Sequence, residues 1–393
     1  MADRLAAARE LLLRFPLIDG HNDLPWEIRE RFAGDPSQVN LAERVPVTQT
    51  DLPRLAAGGV GGQFWSVYVP ASLPGDAAVT AVLEQIDIVH QIIRSYPDRL
   101  ELAVSSGDVE RILATGRVAS LLGAEGGHAI ASSLGVLRAL AALGVRYLTL
   151  THNSNVGWAD SATDEPDAGG LTDFGREVVR EMQRIGMLAD LSHVSAATMH
   201  DVLDIAEAPV IFSHSSARAL CDHPRNVPDD VLRRLPANGG VCMVTFVPFF
   251  VSPECARWQS GLLAEVGRRG LDPRDTANWA VVQPGWEAAH PRPGATVAQI
   301  ADHIEHIRSV AGVEHVGLGG DFDGGGGGAE GLTDVSGYPA LFAELLDRGW
   351  AEKDCAALAS GNVLRVLRDA EEAAGWARPP GLASPAWPAR PRR

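Results

Sequence analysis

Eight short apolar runs recur along the chain, and their rhythm constrains the fold more than any other feature of the sequence. The runs cover residues 16–20, 60–69, 117–124, 145–151, 186–191, 208–213, 240–246 and 314–320. Segments with helical periodicity separate several of them, at residues 79–95, 133–143, 173–185, 195–206 and 296–310. Strands that alternate with helices favour a parallel sheet, and eight such strands predict an α/β fold of the (β/α)8 TIM-barrel type. A doubly wound open sheet would show a similar rhythm, but the Gly-x-Gly-x-x-Gly turn that follows its first strand is missing.

The length and composition are those of an ordinary globular protein. The chain has 393 residues, of which 46% are hydrophobic and 21% are charged, and this is enough for one large domain or two. No linker divides the chain, so we expect a single barrel domain over residues 1–376. Two stretches break the rhythm. Residues 251–294 are expected to form an inserted excursion between the seventh and eighth strands, and residues 377–393 are expected to be a disordered tail.

The net charge and the cysteines bound the partners and the compartment. The chain carries 34 basic and 50 acidic residues, and the resulting charge of −16 disfavours binding to nucleic acid or to an anionic membrane. No apolar run approaches the roughly 18 residues that span a bilayer, and the first residues resemble an amphipathic helix rather than a signal peptide. The four cysteines show no close pairing that would indicate a disulfide framework. We therefore expect a cytoplasmic protein with no nucleic-acid or membrane partner.

Polar residues that can bind metal follow six of the eight apolar runs. In chain order they are His21 and Asp23 after the first run, Glu125 after the third, His152 after the fourth, His193 after the fifth, His214 after the sixth, and Asp321 and Asp323 after the eighth. A single histidine after a strand is more often a hydrogen-bonded loop residue than a ligand. In a barrel, however, the carboxyl ends of all strands meet at one mouth, where the active sites of this fold lie. Six such strand ends therefore favour a functional site.

Five of these residues form a ligand set for a divalent metal ion. His21, His193 and His214 supply three nitrogens, and Asp23 and Glu125 supply two carboxylates, which is the mixture expected for zinc or a similar ion. One catalytic metal usually takes three protein ligands, whereas five suit two metals with a bridging carboxylate. Because such a pair activates water and polarises a carbonyl, we expect a barrel of the metal-dependent hydrolase kind.

Two further patterns are interpreted as structural. His303 and His306 lie three residues apart on a predicted helix, a spacing that can bind metal, but the surrounding sequence "ADHIEHI" is more typical of a helix packed against the barrel. The glycine run 324–328 lacks the Gly-Lys-Ser/Thr of a phosphate-binding loop. We expect it to be a flexible loop over the mouth.

Nine motifs, in chain order, resemble a known family. They are "LIDGHNDLPW", "TDLPRLAAGGVGGQFWSVYVP", "GAEGGHAI", "LTLTHN", "LADLSHVS", "PVIFSHSSARAL", "RNVPDDVL", "VGLGGDFDG" and "GNVLRVL". Together they resemble the membrane (renal) dipeptidase family of the amidohydrolase superfamily, and its bacterial members more than the secreted, lipid-anchored animal ones. The resemblance runs from about residue 10 to about residue 372.

The resemblance implies an arrangement of two zinc ions. By analogy with the family, His21 and Asp23 hold one zinc, His193 and His214 hold the other, and Glu125 bridges them.

The resemblance also implies roles for three residues beyond the metal ligands. Asp321 takes a proton from the bridging water and passes it to the leaving amine, His152 contacts the scissile carbonyl oxygen, and Arg225 binds the terminal carboxylate of the substrate. An imidazole can stabilise an oxyanion, and a guanidinium matches a carboxylate in two places.

The sequence thus predicts a zinc-dependent dipeptidase. Its substrate would be a dipeptide with a free C-terminal carboxylate, and a D-residue at the second position would be tolerated, as in the family. The main alternative is a related amidohydrolase that acts on another small amide, such as a biosynthetic intermediate or a β-lactam. A metal-bound but inactive binding or structural protein is a third interpretation, which the retention of Asp321 and of all five ligands disfavours. The oligomeric state is left open, with a homodimer as one option.

Overall fold

A parallel β-sheet closes into a barrel in the computed structural model, which describes residues 2–376. Within these residues the strands are β1 (Leu17–Asn22), β2 (Val60–Tyr68), β3 (Leu100–Leu102), β4 (Val118–Glu125), β5 (Val145–Thr149), β6 (Leu188–Asp190), β7 (Ile211–Phe212), β8 (Val241–Val244) and β9 (Val316–Leu318). All of them except β3 pair side by side in the order β1, β2, β4, β5, β6, β7, β8 and β9. Asp19 of β1 pairs with Leu318 of β9 and closes the ring, so the predicted (β/α)8 barrel is confirmed.

The short strand β3 is the one strand of the described residues that the apolar rhythm misses. Leu100–Leu102 pairs with the first residues of β4, from Val118 to Ser120, whereas β5 pairs with the same edge of β4 only from Leu122 onward. β3 therefore extends the sheet beside the amino-terminal half of β4 and is not one of the eight strands that form the barrel. Three residues are too few to show a period, which is why the sequence pattern does not reveal it.

Helices surround the barrel and connect its strands. Within residues 2–376 they are α1 (Ala2–Arg14), α2 (Leu24–Arg31), α3 (Leu52–Gly58), α4 (Gly75–Ser95), α5 (Ser106–Leu113), α6 (Leu134–Ala142), α7 (Asp173–Arg184), α8 (Ala196–Ile205), α9 (Asp229–Leu232), α10 (Leu235–Asn238), α11 (Pro248–Val251), α12 (Pro253–Arg268), α13 (Thr276–Ala289), α14 (Val297–Ala311), α15 (Tyr338–Asp347), α16 (Glu352–Ala356) and α17 (Asn362–Ala373). The five predicted helices correspond to α4, α6, α7, α8 and α14. Most of these begin at a Ser or Thr whose side chain accepts a hydrogen bond from the first turn, as Ser133 does from Val136.

The barrel interior is packed with apolar side chains toward its amino end. Ile18, Phe64 and Leu121 from the strands form one cluster with Val363 and Val366 of α17, and all five are buried. The amino-terminal half of the barrel is therefore filled with packed side chains, as is usual in this fold, and α17 covers its end. Polar residues are left to the carboxyl ends of the strands, where the site lies.

The segment 251–294 covers the mouth with the helices α12 and α13 and their loops. These helices share a hydrophobic cluster with α11 and the residue before it, formed by Val247, Phe249, Phe250, Cys255, Trp258, Leu262, Val266 and Val282. At the turn between them, Arg274 Nη1 donates to Asp164 Oδ1 at 2.5 Å, and Asn153 Nδ2 donates to the Arg274 carbonyl at 3.3 Å. Asp164 and Asn153 follow β5, so the segment reaches across the mouth.

The expectations on membrane spans, disulfides and the C-terminal tail concern three further features of the chain. No helix within residues 2–376 combines the length and the apolar character needed to cross a bilayer. The four cysteines, at positions 221, 242, 255 and 355, are buried and free. The predicted disordered tail, 377–393, lies outside the described residues.

Candidate metal centre and substrate cavity

The three histidines among the five predicted metal ligands surround the carboxylate of Glu125, the last residue of β4, and Asp23 lies beside one of them. Glu125 Oε1 lies 3.0 Å from Nε2 of His193 and 3.6 Å from Nε2 of His214. Its other oxygen, Oε2, lies 3.3 Å from Nε2 of His21, and the same His21 nitrogen lies 3.3 Å from Asp23 Oδ2. The structure thus brings together side chains that are up to 193 residues apart in sequence. Their assigned role as ligands stays a prediction.

The burial of these side chains and their missing partners fit a cation. Glu125, His21, His193 and His214 are each at most 6% exposed. Among the described residues, no hydrogen-bond partner is present for the buried atoms His21 Nε2 and Asp23 Oδ1. Buried polar atoms usually have a partner, because leaving one unpaired costs about 1–3 kcal/mol. A divalent cation between the imidazoles and the carboxylates would satisfy both atoms, so the donor set fits a metal.

The electrostatics of the pocket leave Glu125, His193 and His214 in the form that binds metal. Burial lowers the pKa of His214 and of His193 well below the usual histidine value, so both imidazoles are neutral and can offer a lone pair. Burial alone would raise the pKa of Glu125, but the surrounding His21 and His193 outweigh it and hold this pKa well below its usual range. Neutral imidazoles and an ionised carboxylate are the states that coordinate a divalent ion. Burial alone would lower the pKa of His21, but Tyr147 and the neighbouring carboxylates outweigh it and raise this pKa well above its usual value, so a metal ion bound there would displace a proton.

His152 and Asp321 flank this cluster from opposite sides. His152 Nε2 lies 3.9 Å from Glu125 Oε1, its ring packs against His193 at a centroid distance of 4.4 Å, and burial lowers its pKa to about 4. Asp321 can bring a carboxylate oxygen within 4.8 Å of donor atoms of His21 and Asp23. Burial raises the pKa of Asp321 well above that of an ordinary aspartate, as is common for groups that exchange protons at functional sites. Asp321 also has a positive φ of 59°, which is strained for a residue with a side chain.

Arg225 is a buried cation with unused donors. It is 2% exposed, and only its Nη2 has a protein acceptor, the carbonyl of His214 at 3.3 Å. Its Nε and Nη1 atoms have no partner among the described residues, and the guanidinium packs over the ring of Phe250 at 5.2 Å. Burial lowers the pKa of Arg225 to about 10, so it stays charged at neutral pH. Two free N–H groups on one buried guanidinium are suited to a carboxylate.

A cavity of about 520 Å³ joins these residues. Six of the eight predicted site residues line it, namely Asp23, Glu125, His152, His193, Arg225 and Asp321, while His21 and His214 lie buried beneath it. The wall opposite the metal cluster comes from the 251–294 segment, including Gln259 and Trp279. The glycine run contributes Gly324–Gly326 to the rim.

The sequence analysis misses several residues of the cavity. Tyr68 is the last residue of β2, and its ring packs against His152 at 4.8 Å and against Trp26 at 4.9 Å. The other residues were found because each is a polar group at the end of a predicted strand. The same rule would have found Tyr68 if the second predicted strand had ended at residue 68, where β2 ends. Gln259 and Trp279 carry no such signal, because they lie on helices of the insertion.

The paired histidines on α14 do not form a metal site. Nε2 of His303 faces the Val251 carbonyl at 3.0 Å, whereas Nε2 of His306 faces Asp229 Oδ1 at 2.8 Å. His303 is 1% exposed, and its ring packs from α14 against Ala217, in the loop after β7, and Val251, the last residue of α11. The structural interpretation of these two residues is therefore confirmed.

Comparisons with known proteins identify relatives over nearly the whole chain. A family model described as membrane dipeptidase (peptidase family M19) matches residues 5–378. Dipeptidase verJ of Clonostachys rogersoniana is 45% identical over 94% of this chain and 88% of its own length. Dipeptidase 3 of Homo sapiens is 42% identical over 94% of this chain and 68% of its own length.

Solved structures share the architecture. The probable dipeptidase PvdM from Pseudomonas aeruginosa is 26% identical, with a TM-score of 0.84 over 95% of this chain and 99% of that one. A metallopeptidase from Rhodobacter sphaeroides, solved with a phosphinate mimic of the dipeptide L-Ala-D-Ala, is 25% identical, with a TM-score of 0.74 over 91% and 99% of the two chains.

Proposed function

The chain belongs to the membrane dipeptidase family, peptidase family M19, and on that premise we propose that it uses two zinc ions to hydrolyse dipeptides that have a free C-terminal carboxylate. Family membership makes it a metal-dependent dipeptidase. The proposal concerns the identity and number of the ions, the part of the substrate that is recognised, and the roles of the individual residues. One observation carries it: the metal-type donors around Glu125 and Arg225, whose Nε and Nη1 have no acceptor among the described residues, line the same cavity.

The proposed ligands are those that surround Glu125. His21 and Asp23 would hold one ion, His193 and His214 would hold the other, and Glu125 would contribute one oxygen to each. Three imidazoles with two carboxylates favour zinc over magnesium or calcium, which prefer oxygen ligands. When bound, a pair of such ions lowers the pKa of water and polarises a carbonyl.

The substrate is oriented by the groups on the cavity wall. In our proposal the C-terminal carboxylate accepts hydrogen bonds from Nε and Nη1 of Arg225, which have no acceptor among the described residues. The scissile carbonyl then lies near Glu125 and His152, and a donor on His152 stabilises the oxygen as negative charge develops on it. A guanidinium that binds the terminal carboxylate would disfavour longer peptides, because their chain continues where the carboxylate is expected.

Asp321 is proposed to move the proton. Its raised pKa lets it accept a proton from the attacking water and then donate it to the amine that leaves. In our scheme Asp23 and Glu125 are assigned to the metals, and Asp323, which also lines the cavity, accepts a hydrogen bond from the Gln49 N–H, so Asp321 is our first candidate.

Tolerance of a D-residue at the second position is part of the proposal. The Rhodobacter sphaeroides metallopeptidase was solved with a mimic of L-Ala-D-Ala, and this supports the idea for a relative of 25% identity. The alternative substrate, another small amide, would use the same fold and metal site. Cytoplasmic location and a homodimeric state stay predictions of the same kind.

A dipeptide library tests the proposal. Zinc-loaded protein is incubated with dipeptides that carry L- or D-residues at the second position, and with their C-terminal amides. We expect turnover of free dipeptides of both configurations and little turnover of the amides. Turnover of amides as fast as of free dipeptides would contradict the carboxylate requirement, and turnover of other small amides alone would favour the alternative.

A further inference from the structure

Two hydroxyl groups lie directly behind two of the proposed ligands, on the side away from the cavity. Tyr147 Oη is 2.8 Å from Nδ1 of His21, and Ser213 Oγ is 2.8 Å from Nδ1 of His214. All four side chains are at most 1% exposed. A hydroxyl can donate to an imidazole nitrogen or accept from it, so the direction of each bond decides which ring nitrogen carries the hydrogen.

Asp190 determines the direction of the Ser213 bond. Its Oδ2 accepts from Ser213 Oγ at 2.6 Å and from Thr149 Oγ1 at 2.5 Å, and its Oδ1 accepts from the backbone N–H groups of Ser192 and Ser213 at 3.1 and 2.8 Å. Both oxygens of Asp190 thus act as acceptors of two hydrogen bonds each, and a serine hydroxyl has one hydrogen. Ser213 therefore donates to Asp190 and must accept from His214. The hydrogen of His214 lies on Nδ1, which leaves the Nε2 lone pair facing Glu125.

The backbone determines the direction of the Tyr147 bond in the same way. Tyr147 Oη donates to the Gly20 carbonyl at 3.1 Å, so its single hydrogen is already used. It then accepts from His21, which places a hydrogen of that ring on Nδ1 and leaves Nε2 as the nitrogen that can coordinate a metal. Gly123 makes room for this tyrosine, because a Cβ there would lie 1.9 Å from the Tyr147 ring.

We infer that Asp190, acting through Ser213, and Tyr147 are positioning residues that hold His214 and His21 in the tautomer that can bind metal. The inference rests on the proposed metal site. In the other tautomer an N–H would point at the metal position, where it cannot coordinate. Partners of this kind behind a histidine ligand typically change metal affinity 10- to 100-fold.

In the Asp190→Asn variant the side chain keeps its shape, but the oxygen that accepts from Ser213 becomes a nitrogen that donates to it. The amide oxygen can still accept from the two backbone N–H groups, while the amide nitrogen replaces Oδ2 and donates to Ser213 and Thr149. The Ser213 hydroxyl is then free to donate to Nδ1 of His214, which moves the ring hydrogen to Nε2. Asp190→Asn therefore tests the direction of the hydrogen bond between Ser213 and His214 and leaves the packing of the side chains unchanged.

Asp19 provides a matched control in the same barrel. It is equally buried, and it accepts from the backbone N–H groups of His21 and Gly320 at 3.1 and 2.9 Å and from Tyr338 Oη at 2.5 Å. None of these contacts involves an imidazole nitrogen. Asp19→Asn thus makes the same replacement of a carboxylate oxygen by an amide nitrogen and leaves the tautomers alone.

The experiment measures zinc affinity on the full chain by competition with a chelator, for the parent and for Asp190→Asn, Ser213→Ala, Tyr147→Phe and Asp19→Asn. We expect Asp190→Asn and Ser213→Ala to weaken one zinc 10- to 100-fold, Tyr147→Phe to weaken the other to a similar extent, and Asp19→Asn to stay within about threefold of the parent. Nitrogen-15 spectra of histidine-labelled, metal-free protein report the tautomers directly. His214 should change from Nδ1–H to Nε2–H in Asp190→Asn.

The outcomes separate this inference from the proposed function. Equal losses in Asp19→Asn and Asp190→Asn, or an unchanged His214 tautomer, would overturn the inference. If Asp190→Asn does not fold, Ser213→Ala decides, and an unchanged affinity there overturns it. A parent protein that binds zinc but hydrolyses no dipeptide would refute the proposed function and leave the affinity comparison valid.

Discussion

Glu125 Oε1 lies 3.0 Å from Nε2 of His193, although β4 and the loop after β6 are separated by another strand of the barrel. The contact is short because both side chains point to the barrel axis at the mouth. Glu125 also faces Nε2 of His21 with its second oxygen, at 3.3 Å. One carboxylate thus faces imidazoles from two sides, which is the geometry expected of a ligand shared by two ions.

The first prediction follows from this shared position. Protein purified without chelator should contain close to two equivalents of zinc or a substituting metal, and Glu125→Gln should lower this to one or fewer, because the amide cannot bridge two cations. Elemental analysis measures it. Glu371→Gln is the control, since Glu371 is a buried carboxylate that accepts from Ser106 away from the mouth. A firm stoichiometry of one in a fully active parent would contradict the bridge.

The second prediction concerns the guanidinium of Arg225. Arg225→Met should lower kcat/KM for dipeptides by ~2–4 kcal/mol, because the substrate carboxylate loses a charged partner inside a buried site. C-terminally amidated dipeptides should lose far less. Arg218→Met is the control, since Arg218 lies seven residues away in the same loop and pairs with the exposed Asp222. Equal losses for free and amidated substrates would remove the carboxylate contact from the scheme.

The barrel and most of the site could be predicted because both depend on local patterns. Each strand is an apolar run, and a polar residue at its carboxyl end must reach the mouth, whichever strands are neighbours. This is why His21, Glu125, His193 and His214 could be found one strand at a time. The assignment of Arg225 came from the family resemblance alone, since a loop arginine has no pattern that marks it as buried.

The remaining features depend on contacts between distant segments. Asp190 lies in the short strand β6, and the sequence indicates only a buried polar residue. It accepts from Ser213, the neighbour of His214, only because β6 and β7 are adjacent in the barrel. The insertion contributes Gln259 and Trp279 to the cavity after it folds back over the mouth, and no period in its sequence encodes that direction. The positive φ of Asp321 is likewise imposed by the loop and not by residue type.

The third prediction concerns stability and pH, through His303. Its Nδ1 accepts from the Ala217 N–H at 3.0 Å and its Nε2 faces the Val251 carbonyl, so a second ring hydrogen would meet the Ala217 N–H. Burial lowers the pKa of His303 to about 4, below the value of about 6.5 in an unfolded chain. The unfolded state therefore binds more protons between these values. His303 therefore contributes about 3 kcal/mol to the stability of the folded state above pH ~6.5. This contribution is lost as the pH falls to ~4.

Denaturant unfolding between pH 4 and 7 measures this contribution. The parent should lose stability as the pH falls, and His303→Gln should show a shallower slope, whatever its stability at pH 7. The expected difference lies in the slope, because a lost contact alone would shift the whole curve by a constant. Parallel curves for the two proteins would show that His303 is not the group that titrates.

The final prediction separates proton transfer from metal binding at Asp321. Asparagine is nearly the same size as aspartate but is a poor base, so Asp321→Asn should keep the fold and the zinc content while kcat falls about 10²–10⁴-fold, the usual range for general acid–base catalysis. Binding of an unreactive dipeptide analogue should barely change. Asp222→Asn is the control, because that carboxylate is exposed at the rim of the same cavity.

Zinc content, analogue affinity and kcat of Asp321→Asn are best measured on one preparation, because the three readings distinguish the possible roles. Asp321 can reach the donor atoms of His21 and Asp23, so it could also be a ligand. Loss of zinc together with activity would assign it to the metal and refute the proton-transfer role. A kcat within a few-fold of the parent would instead indicate that Asp323 or water moves the proton. Only a large loss of kcat with zinc and analogue binding intact supports the role proposed here.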